Sequence, residues 1–184
     1  VEAPTTSWTY DGLEHSDDDY TLTGTLLNGD EITVVITGSI TDAGSVPNVV
    51  SSVTITNGNE DVTGNYTINK VNGTLTVGPK PVTITATDAN FTYNGSPQSD
   101  NRYTVSELVG SDEITAVVEG SITYPSESPV TNEVTSHSFT AGNPDNYTVT
   151  YVNGTLTMTE AAIAITVEAP TTSWTYDGLE HSDD

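Results

Sequence analysis

The stretch VEAPTTSWTYDGLEHSDD occurs twice without a difference, at Val1–Asp18 and again at Val167–Asp184. A looser copy, DANFTYNGSPQSDN, covers Asp88–Asn101. Tyr10-Asp11-Gly12, Tyr93-Asn94-Gly95 and Tyr176-Asp177-Gly178 are evenly spaced at 83 residues. Recurrence at fixed period is the signature of an array in which each repeat is one unit of structure. The spacing predicts a first unit over residues 1–79, a second over 80–162, and the opening strands of a third over 163–184. A unit of this length can bury its own core.

Inside the units the pattern is that of short strands. Val82–Thr87 and Ile163–Glu168 alternate and are rich in β-branched residues, while Val1–Pro4 reads as the end of the same strand with its start missing. Trp8–Tyr10 is a short apolar run closed by Asp11-Gly12, and Tyr20–Leu26 alternates again. Glu31–Ile40 puts Ile32, Val34, Ile36 and Ile40 on one face; its echo, Glu113–Ile122, does so with Ile114, Val118 and Ile122. Gly38 and Gly120 hold matching places, which points to a bulge or a close backbone approach. Val50–Thr56 and Val134–Thr140 form the next strand pair. Each unit then closes on Asn72-Gly73 or Asn153-Gly154 between apolar runs, which reads as a two-residue hairpin turn. That register pairs Val71 with Thr74 and Ile68 with Val77, and gathers Tyr66, Ile68, Leu75 and Val77 on one face. Tyr151 stands where unit one has Lys70, which marks an edge position. About seven short strands per unit, without any amphipathic helix, describe an all-β fold of the sandwich kind. The linkers, Gly78–Pro81 and Thr159–Ala162, are too short to be flexible tethers, so the sandwiches are expected end to end in a rod.

The charge excludes several functions. Against 26 acidic residues stand Lys70, Lys80 and Arg102, a net charge of −23. Such a chain repels nucleic acid and anionic membranes. Regular apolar periodicity separates it from acidic disordered chains. It has no cysteine, hence neither disulfides nor thiol chemistry. No apolar run reaches the length of a membrane span, and neither a signal peptide nor an initiating Met begins the chain. A piece of a longer exported protein is the expectation.

Three motifs in fixed order now carry a resemblance: the Tyr-Asp-Gly turn, the Asp-Glu-Ile-Thr strand start at Asp30 and Asp112, and the closing Asn-Tyr-Thr…Val-Asn-Gly-Thr-Leu-Thr segment. Together they resemble the MBG/YDG-type repeats of bacterial cell-surface, adhesin-like proteins, over both full units and the partial third. The resemblance implies tandem immunoglobulin-like β-sandwich domains, in the stalk of a large secreted protein on the cell surface or wall of a bacterium. It implies no catalytic residues. Asn94 and Pro97 depart from the pattern in the second unit.

Candidate sites are few. Asp17, Asp18 and Asp19, with Asp30 and Glu31, are calcium candidates by charge density. None fits an EF-hand or a Gly-Asp-rich nonapeptide, and Asp100-Asn101-Arg102 replaces the first run in unit two, so a solvated acidic surface is the simpler reading. His15, His137 and His181 lack zinc-like spacing. No nucleophile elbow or glycine-rich phosphate loop occurs, so no enzyme and no cofactor are expected. An isopeptide cross-link would need Lys70. Trp8 becomes Phe91 in unit two, an exchange that suggests packing and not a ligand platform.

The favoured function is a structural spacer whose partners are neighbouring repeats of the same chain, with any host-surface ligand bound by other domains. The alternative is a ligand-binding module for a glycan or host protein. A monomer is expected, with strand exchange through the C-terminal segment as a further option.

Overall fold

A computed structural model describes residues 1–182; Asp183 and Asp184, the end of the expected third opening segment, lie outside the described residues. The first unit contains strands β1 (Thr6–Thr9), β2 (Asp30–Thr37), β3 (Gly44–Asn57), β4 (Glu60–Asp61) and β5 (Gly73–Gly78). The second contains β6 (Lys80–Ala86), β7 (Ala89–Thr92), β8 (Tyr103–Val105), β9 (Glu113–Glu119), β10 (Val130–Ala141), β11 (Tyr147–Val152) and β12 (Gly154–Thr159). The remaining regular structure is single turns of 3-10 helix. The protein is an all-β sandwich fold.

In unit two, one sheet runs β7-β12-β10-β9 and the other β11-β6-β8. Alternation sends Ile84 and Ala86 of β6 inward from the second sheet, to meet Ile114, Val118 and Val134 from β9 and β10 of the first. A second cluster of Ile122, Leu156 and Met158 lies under Phe91 and Tyr93. Unit one repeats the plan with β1-β5-β3-β2 as the first sheet and β4 on the flank of β3. Facing it, Glu2 bridges Thr21 on one side and Val71 on the other. Trp8 packs on Ile40, Leu75 and Val77, so the Trp8/Phe91 exchange is indeed one between core residues.

The expected closing hairpin does not form. β5 pairs antiparallel with β3 and parallel with β1, whereas Tyr66–Lys70 lie in no strand. β11 likewise pairs parallel with β6, and β12 pairs with β10 and β7. The chain therefore crosses between the two sheets at Asn72-Gly73 and Asn153-Gly154, and both pairs have a different role from a turn. The Asn72 carboxamide oxygen accepts from Val50 N at 3.0 Å and that of Asn153 from Val134 N at 3.1 Å, completing β3 and β10 at the crossing. A Cβ on Gly73 would lie 1.9 Å from the Pro4 carbonyl oxygen, and one on Gly154 2.7 Å from those of Ala86 and Thr87. Neither glycine has positive φ; each is needed for clearance.

Gly38 and Gly120 make the expected close approach, to the Pro47 and Thr131 carbonyls respectively. Tyr20–Leu26, expected as a strand, joins a ladder only through Thr21, and Ile163–Glu168 pairs with nothing in strand form. Alternation makes a strand only where a backbone partner is in reach. For the counterpart β6 those partners are β8 and β11.

Candidate functional site

The most specific polar arrangement lies where one unit meets the other. Asn146 ends a single 3-10 turn (Pro144–Asn146) leading into β11, and Asn143 opens that turn by accepting from Asp145 N. Asn146 is only 1% exposed, although it belongs to a loop. Its Nδ2 donates to Asp42 Oδ1 at 2.8 Å and its Oδ1 accepts from Ala43 N at 2.7 Å. One side-chain amide of unit two thus grips a backbone and a carboxylate of unit one. Beside it the Tyr10 ring meets Tyr147 edge-on at 5.5 Å, and Tyr147 stacks on Phe139 at 5.3 Å. Gly12 of the Tyr-Asp-Gly turn abuts Val109.

Tyr147 is fixed from below. Its hydroxyl donates to Asp112 Oδ2 at 2.6 Å and accepts from Val109 N at 3.0 Å. Burial, reinforced by the Asp112 carboxylate, pushes its pKa up to about 12. Unit one copies the device: Tyr66 donates to Asp30 and accepts from Leu27 N at 2.9 Å. Asp30 and Asp112 therefore orient tyrosines at matching corners.

The calcium candidates are placed as follows. Asp17 accepts from Thr6 Oγ1 and, at 3.2 Å, from Asp19 N. Asp30 accepts from Tyr66 and from Asn57 Nδ2 at 2.7 Å, and these bonds, the tyrosine's first, hold its pKa below the usual carboxylate value. Asp18, Asp19 and Glu31 are exposed. Among the described residues, no group of three or more His, Asp or Glu side chains converges on one point. The histidines are dispersed: His15 stacks on Trp8 at 4.7 Å and meets Asp11 at 2.9 Å, His137 meets the Tyr151 hydroxyl, and His181 repeats the His15 pattern with Trp174 and Asp177. The aromatic, turn and histidine thus form the same local cluster whether or not a unit packs around them. Lys70, expected at a strand edge, lies in no strand; it is exposed and donates to Ser51 O at 2.8 Å.

Asp100, the counterpart of Asp17, is held differently. Arg102 grips it through Nε at 2.9 and 3.1 Å and through Nη2 at 2.7 Å, and the Arg102 amide adds a bond at 3.0 Å. The guanidinium bonds first, then the amide, lower the Asp100 pKa from 3.8 to about 2. A lowered folded-state pKa gives stability that is complete above the unfolded value and disappears as pH falls through the folded one. Unit two should therefore lose stability between pH 3.8 and about 2, and D100N should lower its melting point at pH 7 but flatten that fall. Protonating the other carboxylates relieves self-repulsion in both proteins, so the difference between their melting curves isolates this pair.

Asn146 was missed in the sequence because Asn-Tyr-Thr occurs in both units and only its second copy has a partner, more than a hundred residues away. Asn48 and Asn132, each fully buried, were missed likewise. No curated protein and no solved structure matches the chain. The family model of the MBG domain (YGX type) matches residues 82–157, which span β6 to β12 apart from their outermost residues. That stretch of the chain is similar to an MBG-type domain.

Proposed function

We propose that the chain is a spacer from the stalk of a large bacterial cell-surface, adhesin-like protein. Sandwich domains at residues 1–79 and 80–162 are joined end to end, and residues 163–184 open the next. The output of such a stalk is length: it holds a distal binding domain away from the cell, outside the bacterium. The matched family is one of surface-protein repeats and is not known for enzymatic activity, and we assign none. The observation that carries the reading is the Asn146 grip on Asp42 and Ala43, because a stalk needs a set angle between units as well as stable units. Identical loops in Val1–Asp18 and Val167–Asp184 add to it, since a fold does not demand loop identity and lengthening by duplication produces it.

Small-angle scattering on chains of two, three and four units should show a maximum dimension that grows linearly with unit number. Asn146→Ala removes two hydrogen bonds, about 1–3 kcal/mol together. It should broaden the distribution of inter-unit angles while leaving the melting of unit one unchanged. Compact particles at every length would overturn the spacer reading. Saturable binding of one glycan or host protein to the isolated chain would replace it with the ligand-binding alternative.

A further inference from the structure

We infer that the tip of unit one is a receptor for an asparagine-tyrosine head, that the tip of unit two is closed to such a head, and that Asp42-Ala43 against Tyr124-Pro125 make the difference; this rests on the spacer reading and deepens it. The loop that carries these residues leaves both units at the same place. Gly38-Ser39-Ile40-Thr41 and Gly120-Ser121-Ile122-Thr123 are identical, and Ile40 bridges His15 as Ile122 bridges Gln98. The loops rejoin their sheets at Val46 and Val130, which pair with Leu75 and Leu156. Between these anchors unit one has Asp42–Ser45 and unit two the longer Tyr124–Pro129. Counted from the shared threonine, Asp42 matches Tyr124 and Ala43 matches Pro125.

Both halves of the grip are lost in that exchange. Asn146 needs an acceptor for its Nδ2 and a backbone amide for its Oδ1, which Asp42 and Ala43 supply at 2.8 and 2.7 Å. Tyrosine at the first position carries no carboxylate, and proline at the second has no N–H. A head asparagine buried there as Asn146 is would keep two polar atoms without partners, which is costly for a buried amide. The unit-two loop makes its bonds inward instead. Thr123 N and Tyr124 N both donate to Glu127 Oε2, at 2.7 and 3.0 Å, and Ser128 Oγ accepts from Met158 N at 3.2 Å. Tyr10 finds its ring partner in Tyr147 of the next unit, whereas its counterpart Tyr93 meets Tyr124 of its own unit at 6.2 Å.

The heads do not discriminate. Both carry Asn-Tyr-Thr, with the asparagine ending a 3-10 turn, Thr63–Asn65 or Pro144–Asn146. Both hold the tyrosine in the same frame, by Asp30 and Leu27 N or by Asp112 and Val109 N. Selection therefore lies in the tip. A stalk built of such units sets a stiff or a loose joint through the loop after Ile40 or Ile122, without any change to the core beneath it.

The chain has no cysteine, so a pair of spin labels can be placed uniquely. Thr54→Cys in unit one and Ser138→Cys in unit two lie at exposed strand positions. Pulsed electron resonance on the labelled full chain should give one narrow distance distribution across the joint. Asp42→Tyr with Ala43→Pro should at least double its width, as Asn146→Ala should, while Asp42→Asn, which keeps the acceptor oxygen, should leave it narrow. In a second chain a further copy of residues 79–159 is inserted after Thr159, which sets a unit-two head on a unit-two tip. Labels across that new joint should give the broad distribution, and exchanging Tyr124–Pro129 of the preceding unit for Asp-Ala-Gly-Ser, the unit-one loop, should narrow it. Equal widths at the two joints would overturn the inference. So would a new joint that stays broad after the loop exchange, or wild-type width in the Asp42→Tyr, Ala43→Pro chain. Any of these with a maximum dimension that still grows linearly with unit number leaves the spacer reading standing; compact particles with unequal joints remove that reading and keep the selection.

Discussion

Gly154→Ala should lower the stability of unit two by about 3 kcal/mol or somewhat more, the upper end of what added volume costs where the surroundings cannot relax. The new methyl would lie 2.7 Å from two backbone oxygens and 2.9 Å from the Thr87 carbonyl carbon. These atoms cannot retreat cheaply, because β6 is bonded on one side to β11 and on the other to β8. In a domain of this size the melting point should drop by roughly 15–25 °C. Gly73→Ala is tighter on paper, at 1.9 Å from Pro4 O, yet should cost less. Pro4 belongs to a short terminal segment that can lift away, with loss of the Ala3 N to Val71 O bond. Gly95→Ala is the control: its φ of +84° is strained for alanine but nothing lies within 4 Å of the added carbon, so about 1 kcal/mol is expected. Calorimetry that ranked Gly154→Ala level with Gly95→Ala would mean that clearance is not what Asn153-Gly154 provides.

That comparison also shows why some of the fold was legible and some was not. The strands β2 and β9 were readable because their apolar residues alternate and both faces of the consequence are local: Ile36 and Val118 go in, Thr37 and Glu119 go out. The sheet crossing was not readable, because glycine is used for two unrelated reasons, positive φ and absence of a Cβ, and a sequence shows only the glycine. Asn-Gly between alternating runs signals a hairpin, but here the amide caps a neighbouring strand and the glycine clears one. Tyr20–Leu26 failed for another reason. Alternation specifies a face, whereas a ladder also requires a partner, and in this stretch Thr21 alone bridges one, Glu2. Of the candidate site, the acidic runs were visible, but the bonds of Asp17 to Thr6 and Asp19 and of Asp30 to Tyr66 and Asn57 were not. The Asn146 contact was invisible because the motif is common to both units and only the arrangement of units distinguishes its copies.

The second large effect is expected at Asn132, and for the aspartate variant its size should depend on pH. Asn132 is 0% exposed; its Nδ2 donates to Thr87 O and Asp100 O, both at 2.9 Å, which ties the end of β6 and the loop before β8 to β10. Its Oδ1 has no hydrogen-bond partner and faces Gly120, where a Cβ would come within 2.8 Å. Asn132→Ala leaves two buried carbonyls unpaired, at about 1–3 kcal/mol each, so a loss of about 2–5 kcal/mol is expected. Asn132→Asp keeps the shape but sets a carboxylate oxygen against those carbonyls in a site without water access. Burial and like-facing dipoles must raise the folded pKa of this aspartate above its unfolded value. The protonated form, which can donate to one carbonyl, is then the better tolerated, and the variant is worst above the folded pKa. Relative to wild type, Asn132→Asp should therefore be more destabilised than Asn132→Ala at pH 7 and recover as pH falls toward 4, the reverse of the trend expected for Asp100. The equivalent change at Asn48 should be milder, since its donors reach Asp17 O at 2.9 Å and Pro4 O at only 3.3 Å. Equal, pH-independent losses in the alanine and aspartate variants would show that the amide donors do not hold the two sheets together.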